Sequence, residues 1–210
     1  MERRYVGIDL HRRRSVIFIM DEAGAKLSCV RIANEPLRLL EEVGKAGDSA
    51  EVVIEATYGW YWAVDLLEDN GFNVHLAHPA GNDWGKRRVK NDERDARDLA
   101  DLLRLGRLAE AWIAPRGIRE LRELVRYRVK LVQLRTGLKA QVHAVMAKEG
   151  VLPRYGEMFG PGGNAQLDAM TLGDCYSTRV ESLRAAIVHY DGEVAMLERR
   201  IHQRLRRDKG

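Results

Sequence analysis

The stretch Val6-Gly7-Ile8-Asp9-Leu10, almost at the start of the chain, decides the reading of the fold. It is a short apolar strand with one acid inside it. A carboxylate within or at the end of a buried strand is costly unless a partner compensates it. Working outward, residues 4–10, 15–20 and 26–32 read as strands, with a turn at Asp21-Glu22-Ala23-Gly24, and together suggest an antiparallel meander. Asn34-Glu35-Pro36 opens a short helix running to Val43, a cap followed by proline in the first turn. Strand 51–56, a helix from about Gly59 to Asn70 stopped by Gly71, and strand 73–78 ending at Pro79 follow. The change from meander to strand–helix–strand predicts an α/β fold, a mixed sheet with helices packed against it.

Two more acidic signals accompany Asp9. Glu55 ends the apolar run Val52-Val53-Ile54-Glu55-Ala56, and Asp92 and Asp95 open a helix from about Asp92 to Leu105. Residues three apart share one helix face, and the first turn favours negative charge through the helix dipole. Magnesium takes hard oxygen ligands, a few carboxylates together with water and substrate phosphate oxygens. Two such ions about 3.5–4 Å apart can serve an in-line displacement at phosphorus. Asp9, Glu55, Asp92 and Asp95 are therefore candidate ligands. The blander reading makes Asp92, Asp95, Asp98 and Asp101 a solvated helix face and Glu55 an edge residue. Asp9, between Ile8 and Leu10, is the hardest to dismiss in that way.

The chain has 210 residues, 45% of them apolar, a net charge of +4 and a pI near 9.1. It can bury a real core, and its basic bias is a weak pointer to nucleic acid. Cys29 and Cys175 lack any paired-cysteine spacing, so neither a zinc ribbon nor a redox motif is written here. With no long apolar segment, the expectation is a soluble cytoplasmic protein. His75 and His78 fall on opposite faces of a strand, which argues against shared ligation. His11, two residues beyond Asp9, is more naturally structural than substrate-binding. Trp60 and Trp62 read as core or interface anchors, with base stacking the lesser alternative.

Beyond Pro79 the character turns basic. A loop at 81–91 carries Lys86, Arg87, Arg88 and Lys90, and the following helix has Leu99, Leu102 and Leu103 as its apolar side. Between Gly117 and Gly150, Leu124, Tyr127, Leu131, Leu134, Leu138, Gln141 and Val145 alternate three and four apart, a heptad seam with one polar position. Arg119, Arg122, Arg126, Arg128, Lys130, Arg135 and Lys139 crowd the other faces and suit phosphate contact. Residues 151–178, rich in glycine and proline, read as a linker. A last helix from about Thr178 to Arg207 carries Leu183, Ile187, Val194, Leu197, Ile201 and Leu205. Whether the seam pairs within the chain, with that helix or across a dimer is open.

The strings Tyr5-Val6-Gly7-Ile8-Asp9-Leu10-His11, Ile54-Glu55-Ala56-Thr57 and Lys90-Asn91-Asp92-Glu93-Arg94-Asp95-Ala96-Arg97-Asp98-Leu99-Ala100 resemble the DEDD transposases. These are insertion-sequence recombinases related to the pilin-gene-inverting recombinase. The resemblance implies a ribonuclease-H-like (RuvC-like) domain over 1–115 and a basic helical or coiled-coil extension over 116–210. Matching motif to motif, it places Asp9, Glu55, Asp92 and Asp95 on the four acids that hold Mg2+ or Mn2+ for DNA strand cleavage and transfer. It also implies DNA and a structured guide RNA as partners, and a homodimer or higher oligomer built through the helical segment. Asn91 stands where threonine is more usual in the family. The family's C-terminal domain, with its serine nucleophile, is expected to be absent, and Ser15, Ser28, Ser49, Ser177 and Ser182 read as ordinary turn, strand or cap residues.

Two other classes compete. An actin-like ATPase also opens with a strand ending Gly-Ile-Asp-Leu, but here His11-Arg12-Arg13-Arg14 follows where a glycine–threonine phosphate loop is needed. A non-catalytic nucleic-acid-binding dimerisation protein would keep the acids as structural groups only.

Overall fold

The computed structural model describes residues 2–81 and 91–207. The chain divides into two compact units, Met1–Ile113 and Ala114–Gly210. The first carries β1 (Tyr5–Leu10), β2 (Arg14–Met20), β3 (Lys26–Ala33), α1 (Pro36–Gly44), β4 (Glu51–Glu55), α2 (Trp60–Asp69), β5 (Asn73–Ala77) and α3 (Asp92–Arg104). The strands form one five-stranded mixed sheet in the order β3-β2-β1-β4-β5. β1 is central, antiparallel to β2 and parallel to β4. This α/β architecture is consistent with the ribonuclease-H-like expectation.

Alternation along β1 assigns its two faces. Val6, Ile8 and Leu10 join Ile17, Ile19, Val52, Ile54 and Leu76 in a core that Leu39 and Val43 of α1 and Ala63, Val64 and Leu67 of α2 close. Trp60 and Trp62 pack at its margin. Gly7 and Asp9 point the other way. On that face Val16, Phe18 and Met20 pack on Ala96 and Ala100 of α3, and Val53 packs on Leu99.

The sheet-facing side of α3 departs from the expected leucines. Ala96, Leu99 and Ala100 are its buried residues, whereas Leu103 is only partly buried. The reason lies in β1. A Cβ on Gly7 would stand 1.9 Å from the Ala96 carbonyl oxygen and 2.8 Å from the Ala100 nitrogen. Glycine opposite alanine lets the helix backbone lie directly on the strand, and bulkier residues would lift it away.

The second unit contains α4 (Arg116–Lys148), α5 (Pro161–Asp168) and α6 (Asp174–Arg207). Arg204 pairs with Glu120, Arg128 with Glu198 and Arg135 with Asp191. The partner numbers fall as the α4 numbers rise, so the long helices run antiparallel. The seam of α4 is therefore made within the chain, against α6. Its frame differs from the expected one. Leu124, Leu131, Leu138 and Val145 do face inward, but Tyr127, Leu134 and Gln141 are exposed, and Arg128, Arg135 and Val142 take the alternate positions. Two arginines sit in an otherwise apolar seam because acids of α6 meet them there. Leu205, expected on the apolar side of α6, is 50% exposed.

The expected linker at 151–178 is also partly helical. Pro161 occupies the first turn of α5, a position that suits its fixed backbone. Met158 and Leu167 are buried in one cluster with Val142, Val145, Met146, Val180, Leu183 and Ile187. A Cβ on Gly163 would stand 2.3 Å from the Met158 backbone, so the glycine marks close packing where the sequence suggested a flexible joint.

Candidate metal centre

Asp9 is set by β1 and directed at α3. Its side chain is 14% exposed. One oxygen, Oδ2, is buried and makes no aligned hydrogen bond. His11 Nε2 stands 3.0 Å from that oxygen, an ion-pair distance without the angle of a hydrogen bond. Burial, and after it the charges of Asp95 and Asp92, push the Asp9 carboxyl above its usual range, against the opposing pull of His11.

Asp92 is the first residue of α3. Asn91 caps the helix, its Oδ1 accepting from the Glu93 amide at 3.1 Å; asparagine caps a helix as well as threonine does. The close seat of Ala96 on Gly7 brings this first turn over the end of β1. Asp92 Oδ1 lies 3.6 Å from His11 Nε2, and Asp92 Oδ2 lies 3.1 Å from Arg31 and 3.5 Å from Arg14. Lys26 of β3 bonds Glu93 at 2.6 Å, tying the same turn to the sheet and holding the Glu93 carboxyl below its usual range.

Asp9, His11 and Asp92 each offer a ligand atom, and the three atoms lie within 4.8 Å of one another. Asp95 is near enough to act on the charge of Asp9. Glu55 enters by register. Val53 pairs with Gly7 and Ile54 with Ile8; Glu55 follows that last pair and alternates onto the same face as Val53, which packs on Leu99 of α3. Among the described residues the converging atoms are those of Asp9, His11 and Asp92; Glu55 and Asp95 are not part of that group.

Sequence reasoning gives His11 no ligand role. The signal is nonetheless present: residues two apart on a strand share a face, and the turn after β1 keeps that direction, with His11 N donating to Arg14 O. The donor set fits a hard divalent cation, with carboxylate oxygens suited to magnesium or manganese and an imidazole that tilts the balance toward manganese. The half-buried Asp9 carboxylate, met only by His11 among the described ion pairs, is the feature a cation would satisfy.

The basic residues fall into three groups. Arg122, Arg126 and Lys130 are exposed on α4. Arg128 and Arg135 meet acids of α6, Arg119 is 5% exposed, and Lys139 lies over the Phe159 ring at 4.9 Å. Lys86, Arg87, Arg88 and Lys90 lie outside the described residues.

Fold and site together define a mixed α/β protein with an acid cluster between its central strand and the helix laid across it. A transposase family model, that of the DEDD transposases of the IS110 type, matches residues 6–149. The chain belongs to this transposase family, and DNA transposition is its class of function. None of the curated proteins compared matches the chain. Among the described residues no helix is long and apolar enough to cross a membrane.

Proposed function

We propose that the chain is the catalytic part of a metal-dependent DNA transposase, acting in strand cleavage and transfer. Asp9, Glu55, Asp92 and Asp95 hold Mg2+ or Mn2+, and His11 joins them or orients Asp9. The bound ions supply activation of an oxygen nucleophile and stabilisation of the leaving oxygen. The chain's own groups do the rest: β1 fixes Asp9, the Gly7–Ala96 contact seats the first turn of α3, and Arg31 and Arg14 hold Asp92 ready.

In this reading residues 1–115 are a ribonuclease-H-like, RuvC-like domain of a cytoplasmic protein. Residues 116–210 are a coiled-coil arm that contacts nucleic acid, including a structured guide RNA, and joins copies of the chain. Arg122, Arg126 and Lys130 are its phosphate contacts, with Lys86, Arg87, Arg88 and Lys90 as a further basic group.

The observation that carries the reading is the convergence of Asp9, His11 and Asp92, whose ligand atoms lie within 4.8 Å of one another. Thermal unfolding during titration with manganese tests it. A ligand of the folded state raises the midpoint by mass action, so the wild type gains stability and Asp9→Asn does not. Equal responses refute Asp9 as a ligand. With the complete recombination machinery, Asp9→Ala and Glu55→Ala remove strand cleavage while DNA binding persists.

One observation favours a second reading. Arg31, Arg14 and His11 already neutralise much of the Asp9–Asp92 charge, as a purely structural ion-pair network in a non-catalytic nucleic-acid-binding dimerisation protein would require. The same titration separates the two.

A further inference from the structure

At the ends of β1 and β4, beside the acid cluster, lies a cavity of about 370 Å³. Small-ligand clefts run from roughly 300 to 1,000 Å³. His11 belongs to both places: its ring reaches Asp9 and Asp92, and the residue lines the cavity. Arg12, Asn34, Tyr58 and Trp62 form other walls.

These walls are aromatic and cationic. Tyr58 is 90% exposed, a large ring left in water although aromatic side chains contribute most when covered. Gly59, with φ +88°, makes the turn that leads from Tyr58 into α2. Trp62 is packed against the sheet core from α2 and is therefore fixed. Arg12 is exposed and makes no ion pair among the described residues. Asn34 is already committed: Nδ2 donates to His11 O at 2.6 Å, and Oδ1 accepts from Ser15 Oγ at 2.6 Å. It braces the turn on which His11 and Arg12 stand.

We propose that this cavity is a nucleobase subsite for a DNA strand, in which the base of a nucleotide adjoining the phosphate at the acid cluster unstacks and lies on Tyr58. Arg12 meets the backbone of the same strand. The inference rests on the transposase reading and deepens it. Aromatic platforms flanked by cations are how proteins hold unpaired bases, since every base has a π-face and every nucleotide a phosphate. Because His11 is common to both places, a strand with its phosphate at the acids has a neighbouring base at the cavity mouth.

The test uses the whole 210-residue chain with EDTA present and short single-stranded DNA oligonucleotides carrying 2-aminopurine at successive positions. Tyr58→Ala is expected to bind about 5- to 100-fold more weakly, with the fluorescence change at one position abolished. Tyr58→Phe is expected to stay within about twofold of wild type, because stacking needs the ring and not the hydroxyl. Arg12→Ala is expected to weaken binding most at low salt. Three results would overturn the proposal: wild-type affinity in Tyr58→Ala, equal losses in Tyr58→Ala and Tyr58→Phe, or no measurable binding by wild type. Tighter binding of an RNA oligonucleotide of the same sequence, with the same dependence on Tyr58, overturns the assignment to DNA. Manganese binding without oligonucleotide is measured separately. Failure of the metal reading and failure of the subsite therefore give different patterns.

Discussion

The Cβ that Gly7 lacks would stand 1.9 Å from the carbonyl oxygen of Ala96. Backbone atoms, not a flexible side-chain tip, occupy that space, so a methyl group there must displace α3 or distort β1. Gly7→Ala is therefore expected to destabilise the first unit by about 1–3 kcal/mol or more. It is also expected to separate the Asp92 turn from Asp9. Thermal unfolding gives the first effect. Disappearance of the manganese-induced shift, with the strand content kept in circular dichroism, gives the second.

The raised carboxyl of Asp9 fixes the sign of a pH effect. Its folded value lies above its ordinary value of 3.8, mainly because burial disfavours the charged form. The folded state then binds more protons in that window, so stability falls as pH rises from 3.8 to the raised value. Above it the penalty is complete. Asp9→Asn removes this slope and is expected to raise the metal-free midpoint by about 2–4 °C, the equivalent of roughly 1 kcal/mol in a chain of this size. Manganese affinity of the wild type is expected to climb with pH through the same interval, because ion and proton compete for one oxygen. Identical pH profiles for wild type and Asp9→Asn would contradict the assignment.

Arg128 and Arg135 make a different prediction from the other arginines of α4. Each sits in the seam with α6 and meets an acid there. Asp191 is half exposed, so solvent screening limits what the pair contributes. Arg135→Ala is expected to lower stability by only about 1 kcal/mol. Arg135→Leu, which fills the seam, is expected to be neutral or stabilising. Paired thermal melts of the two variants decide the matter.

Arg122, Arg126 and Lys130 are exposed on α4. Alanine at each is expected to leave the midpoint unchanged and to reduce the slope of log affinity against log salt by about 0.7–0.9 for each phosphate no longer neutralised. The same measurement on Arg128→Ala and Arg135→Ala is expected to show an unaltered slope. A uniform effect across all five positions would mean that the division into seam and surface is wrong.

Much of this fold is legible in the residues. Alternation along Val6-Gly7-Ile8-Asp9-Leu10 and the apolar run ending at Glu55 mark two strands whose buried neighbours leave the acids little choice of face. The true α4 frame is hidden because two arginines occupy seam positions, and a hydrophobic pattern cannot register a cation whose partner lies 70 residues away, as Glu198 does from Arg128. The Pro161 helix is hidden for a related reason. Gly162 and Gly163 look like a joint, and only the packing on Met158 shows Gly163 to be a contact point. The part played by His11 depends on the turn geometry, which one sequence does not carry.

Because β1 is bonded on both edges, to β2 and to β4, the peptide carrying Asp9 belongs to the last-opening layer of the sheet. Asp92 and Asp95 belong instead to the first turn of a helix that Asn91 caps, that Lys26 ties to β3 through Glu93, and in which the Asp95 amide bonds the Asn91 carbonyl. The acids thus stand preorganised on two elements fastened to the same sheet. Little rearrangement is left for an incoming ligand to impose.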